Sequence, residues 1–190
     1  MANSLLIITL LVWLPLIPLR LILQGGVGLW RKIGDLSYLL FFLYWAALNL
    51  LILSRRDALL ELRFQTFPLA DTLGILLIIL SLLFGYWAAR TLGLVTLSTR
   101  PQITPSKAKA SLIVSGPYCR LRHPFYFAEW FFLAGAALVT RSWLVLGLLA
   151  AALLIDPIVT VFEEKELVQR FGAAYREYQK KVPRLLPTRF

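Results

Sequence analysis

This sequence is poor in the residues from which most sites are built. It has one cysteine, Cys119, one histidine, His123, and one methionine. A single cysteine excludes an intramolecular disulfide and a cysteine-rich metal cage. Cys119 and His123 stand four residues apart with no further histidine or cysteine to join them, so no metal site is expected. Acids are scarce too: 10 Asp and Glu stand against 20 Lys and Arg, a formal charge of +10. Charged residues make up only 16% of the 190, too little polar surface for a soluble domain of that length. The basic surplus therefore reads as helix flanks facing anionic headgroups rather than as a nucleic-acid surface. The N-terminus lacks the basic segment of a secretory signal, so the first apolar run is read as retained. A glycine-rich loop between a strand and a helix, the usual soluble device for a nucleotide cofactor, is missing. No inverted repeat or pair of broken helices suggests a transporter.

What the chain has in abundance is apolar length: 59% of its residues are hydrophobic and the mean hydropathy is +0.74. Five runs reach, or nearly reach, the ~20 apolar residues of a spanning helix. They are Ser4–Leu23, Leu36–Leu53, Leu69–Thr91, Pro124–Thr140 and Ser142–Phe162. The expected fold is an all-α integral membrane bundle of five transmembrane helices forming one membrane domain. Residues 1–91 would be the N-terminal helices and residues 92–190 the half that carries the site. Pro15 and Pro18 should kink the first helix, and Arg141-Ser142 leaves room only for a tight hairpin between the last two. With the N-terminus outside, the inward segments hold 16 of the 20 basic residues, counting Arg20 and Arg90 at helix ends. That is the bias of the positive-inside rule.

Two inward segments stand out. From Leu92 to His123 runs a long cytosolic loop of roughly thirty residues, and loops of that length are usually functional or disordered. From Glu163 to Lys181, Leu167, Val168, Phe171, Tyr175 and Tyr178 recur at helical spacing among charges, which predicts an amphipathic C-terminal helix. Gly172 inside it should cost about 1 kcal/mol relative to alanine.

Candidate chemistry gathers at the ends of these segments. Ser115–Tyr126 sets Arg120, Arg122 and His123 among two prolines and two tyrosines. Pro124 suits the first position of a helix, which places His123 at a helix N-terminus that favours an anion. Glu163 and Glu164 lie at the inner end of the fifth run, and Asp156, Thr160 and one of these glutamates share a face. Asp156 is an acid inside an apolar span, a functional candidate by position alone. Glu129 and Asn49 have weaker versions of the same standing.

The combination carries a family resemblance. Gly116-Pro117-Tyr118, then Arg122-His123-Pro124-x-Tyr126, resembles the signature of the isoprenylcysteine carboxyl methyltransferase family, whose wider group includes phospholipid methyltransferases. The likeness continues through Glu163-Glu164, Phe171-Gly172, Tyr175 and Tyr178 to Val182-Pro183-Arg184 and Pro187. It implies an integral membrane methyltransferase that uses S-adenosylmethionine on a lipophilic acceptor, the carboxylate of a prenylated cysteine among the candidates. It also implies a cofactor pocket open to the cytoplasm. Arg122, His123 and Tyr126 would line it with the segment Leu112, Val114, Ser115 and Tyr118, and Glu163 or Glu164 would hold the cofactor or face the reacting group. Asp156 would serve the acceptor. Where many relatives carry an arginine one turn before the glutamates, this chain has Val159 and Thr160. Two other readings compete. One is a membrane sterol or isoprenoid reductase binding NADPH through arginines such as Arg100 and Arg122. The other is a non-catalytic membrane protein that binds a metabolite. Membrane lipids are the expected partners in every case, with no nucleic acid.

Overall fold

The computed structural model describes residues 1–93 and 111–187, and every described long element is helical. The helices are α1 (Ala2–Gly25), α2 (Val27–Ile33), α3 (Leu36–Ser54), α4 (Arg56–Glu61), α5 (Ala70–Leu92), α6 (Pro124–Thr140), α7 (Trp143–Phe171) and α8 (Ala173–Lys181). A short 3₁₀ turn, Gly116–Cys119, precedes α6. Four helices, α1, α3, α5 and α7, are long and apolar enough to cross a membrane. The fifth expected span, α6, has 17 residues, which at 1.5 Å per residue is only about 25 Å of helix. Most of the predicted cytosolic loop, including Arg100, lies outside the described residues.

The long helices alternate in direction. Trp13 stacks on Phe132 with ring centroids 4.4 Å apart while Arg20 reaches back to Glu129, so α1 runs antiparallel to α6; α3 returns along α1, with Trp30 of α2 against Phe41 and Tyr44 donating to the Pro15 carbonyl. Leu6, Leu10 and Ile17 of α1 meet Leu133, Ala136, Val145 and Leu148 in one apolar core. The outward faces of α3 and α5 remain apolar and exposed, with Leu43, Leu50, Leu76 and Leu83 among the residues they present. In water such surface would drive association, whereas in a bilayer it faces lipid. The chain is accordingly an integral membrane protein.

Both ends of the bundle are fastened by polar groups. At one end Arg141, in the left-handed region with φ 54°, closes the α6–α7 hairpin. Its guanidinium reaches Asp71 at 2.8 Å and Thr66 at 2.9 Å. There Ser142 caps α7 by accepting from the Leu144 N–H. At the other end the expected helix from Glu163 to Lys181 is split. Glu163–Phe171 forms the last turns of α7, and Gly172 (φ 58°, ψ −130°) turns the chain into α8. Glycine there is a hinge that only a residue without a Cβ adopts freely, rather than a weak point within one helix.

The seam between α5 and α6 is built on small residues. A Cβ added at Gly135 would lie 2.5 Å from the Gly74 carbonyl oxygen, while one at Gly85 would meet Ala128 at an ordinary 3.7 Å. Ser81, between these levels, donates to the Ala128 carbonyl at 2.6 Å. Close backbone approach of this kind is a common basis of helix association in lipid. Gly135→Val should lower stability by about 1–3 kcal/mol, the usual range for overpacking, and Gly85→Ala should be neutral. Thermal unfolding in one detergent compares the two, and equal midpoints would show that the seam is not tightly packed.

Candidate functional site

The site is assembled where the turn before α6 meets the end of α7. Gly116 has φ 59°, and a Cβ there would sit 2.6 Å from Thr91 Oγ1, so glycine lets the turn close on the last residues of α5. The 3₁₀ turn buries Pro117 and Tyr118. The Tyr118 carbonyl accepts from the Tyr178 hydroxyl of α8 at 2.5 Å. Burial pushes the phenols of Tyr118, Tyr175 and Tyr178 upward. Pro124 occupies the first turn of α6 and His123 is its N-cap, as expected of a residue held before proline. The tail runs alongside: the N–H groups of Arg122 and His123 donate to the carbonyls of Pro183 and Arg184 at 3.0 and 3.1 Å.

The two glutamates have different surroundings. Glu164 is 3% exposed and accepts from Arg184 Nη2 at 2.8 Å and Gln179 Nε2 at 3.0 Å. Its other oxygen lies 3.2 Å from His123 Nε2 and 2.8 Å from Arg122 Nε. The last contact is an ion pair out of line for a hydrogen bond, because that Nε has no aligned acceptor. Glu164 thus ties the turn, α7, α8 and the tail together. Glu163 is more open, with its side chain 21% exposed. It accepts from the Tyr126 hydroxyl at 2.7 Å and from Gln24 at 3.3 Å, and its second oxygen is 3.4 Å from His123 Nδ1. His123 is therefore gripped between two carboxylates. Burial by itself lowers the imidazole pKa, but the hydrogen bonds to Glu163 and Glu164 outweigh it and raise the value above the ordinary one.

A second cluster lies deeper in the bundle. Arg20 of α1 reaches Glu129 Oε2 at 2.6 Å and Asp156 Oδ1 at 3.1 Å, and its guanidinium carbon lies 4.8 Å from the centre of the Tyr126 ring. The indole N–H of Trp130 donates to Asp156 Oδ2 at 2.8 Å. Glu129 Oε1 is buried and accepts no hydrogen bond of ordinary geometry, although the Trp13 indole stands beside it. Tyr126 and Glu163 join the deep cluster to the turn. The arrangement is a line of polar side chains from the mouth of the bundle into its apolar interior. It can hold a polar ligand at the mouth and the polar end of an apolar molecule below.

Residues 69–174, more than half of the chain, match the profile of phospholipid methyltransferases. The chain belongs to the phospholipid methyltransferase family. No curated protein and no solved structure matches it. The family match runs from the start of α5 through the turn, α6 and α7 to the first residues of α8. Tyr118, Arg122, His123, Tyr126, Asp156, Glu163 and Glu164 all fall inside it. Among the sequence candidates, Arg122, His123, Tyr126 and the three acids converge. Leu112 instead packs among the side chains of Tyr175, Tyr178 and Val182, whereas Val114 and Ser115 are exposed beside the turn.

Several residues of this methyltransferase-family site were not evident from sequence. Arg20 looked like a positive charge at a helix end, yet it bridges two acids, one of them 136 residues away. Gln179 and Trp130 carried no signal. The pair Arg20 and Gln24, spaced i, i+4 on an otherwise apolar helix, was the available hint. One cavity plays no part in the polar line: an open groove of about 420 Å³ between α5 and α6, lined by Phe84, Trp87, Phe127 and Phe131. At 100° per residue, Phe127, Ala128 and Phe131 point away from the face of α6 that bears Tyr126, Glu129 and Trp130.

Proposed function

We propose that this protein is an S-adenosylmethionine-dependent methyltransferase of the membrane, and that its acceptor is the amine of a lipophilic molecule. The observation that carries the reading is the polar line joining the mouth to the apolar interior within the family match. Its outer part suits the cofactor. The start of α6 offers helix N–H groups to a carboxylate, and Glu163 is the exposed acid of the pair for an ammonium or sulfonium. When bound, the cofactor supplies an electrophilic methyl group. In this reading His123 and Tyr126 hold Glu163 in position, Arg122 and Glu164 hold the turn, and the polar line keeps the reacting atoms aligned. Alignment alone is worth up to roughly 7–11 kcal/mol in well-oriented systems, so the lack of a triad does not count against an enzyme.

Charge favours an amine acceptor. In the deep cluster one guanidinium, Arg20, faces two carboxyl groups, Glu129 and Asp156, a formal excess of one acid in an apolar setting. A protonated amine balances it, and either carboxylate can take the proton so that the nitrogen lone pair is free. A prenylcysteine carboxylate would bring further negative charge to a place where the cation is already engaged, which costs free energy. The basic bias places the mouth of the site, the loop and the tail on the cytoplasmic side with the N-terminus outside. Residues 1–190 act as one membrane unit, with the cofactor residues in 92–190 and Arg20 and Gln24 of α1 joining the site from the N-terminal half.

Calorimetric titration of the detergent-solubilised protein with S-adenosylhomocysteine, beside NADPH, tests the cofactor. Saturable micromolar binding of the first alone is expected. Binding of NADPH instead would establish the reductase, and binding of neither would leave a non-catalytic membrane protein. Methyl transfer to phosphatidylethanolamine, but not to a farnesylcysteine carboxylate, is the expected acceptor result.

A further inference from the structure

We infer that α1, which lies wholly outside the family match, supplies the residue that sets the acceptor class: Arg20 positions Glu129 and Asp156 to receive an amine. The inference rests on the amine reading above. Arg20 has a side-chain exposure of 18%, and its two nitrogens each go to a different acid. A bolt between helices needs one acid. Here a second acid, Asp156, is fully buried and also held by Trp130, so the two carboxyl groups are fixed on either side of one guanidinium. Arg20 binds one oxygen of Glu129 and leaves the other, in a side chain 6% exposed, without an aligned donor. A buried carboxylate oxygen in that state is expensive unless a donor arrives, and an amine N–H is such a donor. One turn further along α1, Gln24 reaches Glu163, so the same helix face spans the acceptor and cofactor ends of the line.

Without Arg20 the two acids would face each other across an apolar interior, and one would take a proton. The amine would then meet one carboxylate and one neutral acid, neither of them oriented by a cation, while the cofactor's outer contacts stayed in place. Arg20 therefore acts through Glu129 and Asp156 as a positioning residue, and its loss should be read in acceptor selectivity.

The test measures methyl transfer to phosphatidylethanolamine and to a farnesylcysteine carboxylate in mixed micelles, with S-adenosylhomocysteine affinity as the control. Arg20→Gln should raise KM for the amine lipid at least tenfold and cut the amine-to-carboxylate preference by as much. Its S-adenosylhomocysteine affinity should stay within twofold, and Arg20→Lys should recover most of the preference. If Arg20→Gln does not fold, Arg20→Gln with Glu129→Gln keeps the cluster's formal net charge, and its KM for the amine lipid should exceed that of Glu129→Gln alone, whereas equal values would overturn the inference. Native turnover of the amine lipid with an unchanged KM and preference in the folded variant would overturn the inference alone. Native S-adenosylhomocysteine binding with no turnover of any amine lipid would overturn the acceptor reading and this inference with it.

Discussion

Glu164→Ala should be the most damaging single substitution at the site, and it should act on the fold. The carboxylate is shared by Arg122, His123, Gln179 and Arg184, which come from the turn, α8 and the tail. Its removal leaves Arg122 and His123, with side chains 9% and 7% exposed, close together without their common counter-charge. Breaking a buried ion pair from one side typically costs 3–5 kcal/mol, a large part of the marginal stability of a domain. The expected result is early unfolding of α8 and the tail, seen as faster proteolysis after residue 172 and loss of S-adenosylhomocysteine binding. Glu164→Gln keeps two acceptor-capable positions and should lose less. Glu163→Gln offers the contrast: it should keep the fold and lower S-adenosylhomocysteine affinity at least tenfold, about 1.4 kcal/mol. If Glu164→Ala keeps its thermal midpoint while affinity falls, the two glutamates have been given each other's roles.

That division could not be read from the sequence, because adjacent residues on a helix differ by 100° and only the packing decides which one turns inward. The elements that were legible depend on local rules. The apolar runs gave α1, α3 and α5 to within a few residues and the start of α7, Pro124 gave the start of α6 with His123 as its cap, and Arg141-Ser142 gave the hairpin. The charged residues after Phe162 suggested a fresh amphipathic helix, whereas α7 continues through them because no proline or glycine stands between Phe162 and Gly172. Arg20 was illegible for a different reason. Its partners are on α6 and α7, so no spacing within α1 announces them. The resemblance pointed to the part of the site carried by its motifs between Gly116 and Pro187, and the contributions of α1 and Gln179 had to come from tertiary structure.

His123 should make the stability of the site end fall on the alkaline side. Its folded-state pKa is raised above the unfolded value, because the hydrogen bonds to Glu163 and Glu164 outweigh a burial that alone would lower it. A group shifted in this direction contributes stability that is fully present below the unfolded value, near 6.5, and is lost as pH rises through the folded one. Above that point a neutral imidazole offers one N–H to two carboxylates, so one of the contacts at 3.2 and 3.4 Å loses its donor. The repulsion between Glu163 and Glu164 is then no longer offset at that position, and Arg122 and Arg184 compensate only on the side of Glu164. Thermal midpoints and S-adenosylhomocysteine affinity should therefore both decline from pH 6 upward in the native protein. His123→Ala should remove that slope and lower the affinity at least tenfold at every pH. His123→Lys restores a cation without the second nitrogen, so it should recover part of the stability and shift the decline to higher pH. A native profile that is flat across this range, or one that His123→Ala leaves unchanged, would mean that the ring is held neutral and that Glu163 and Glu164 are kept apart by their other partners.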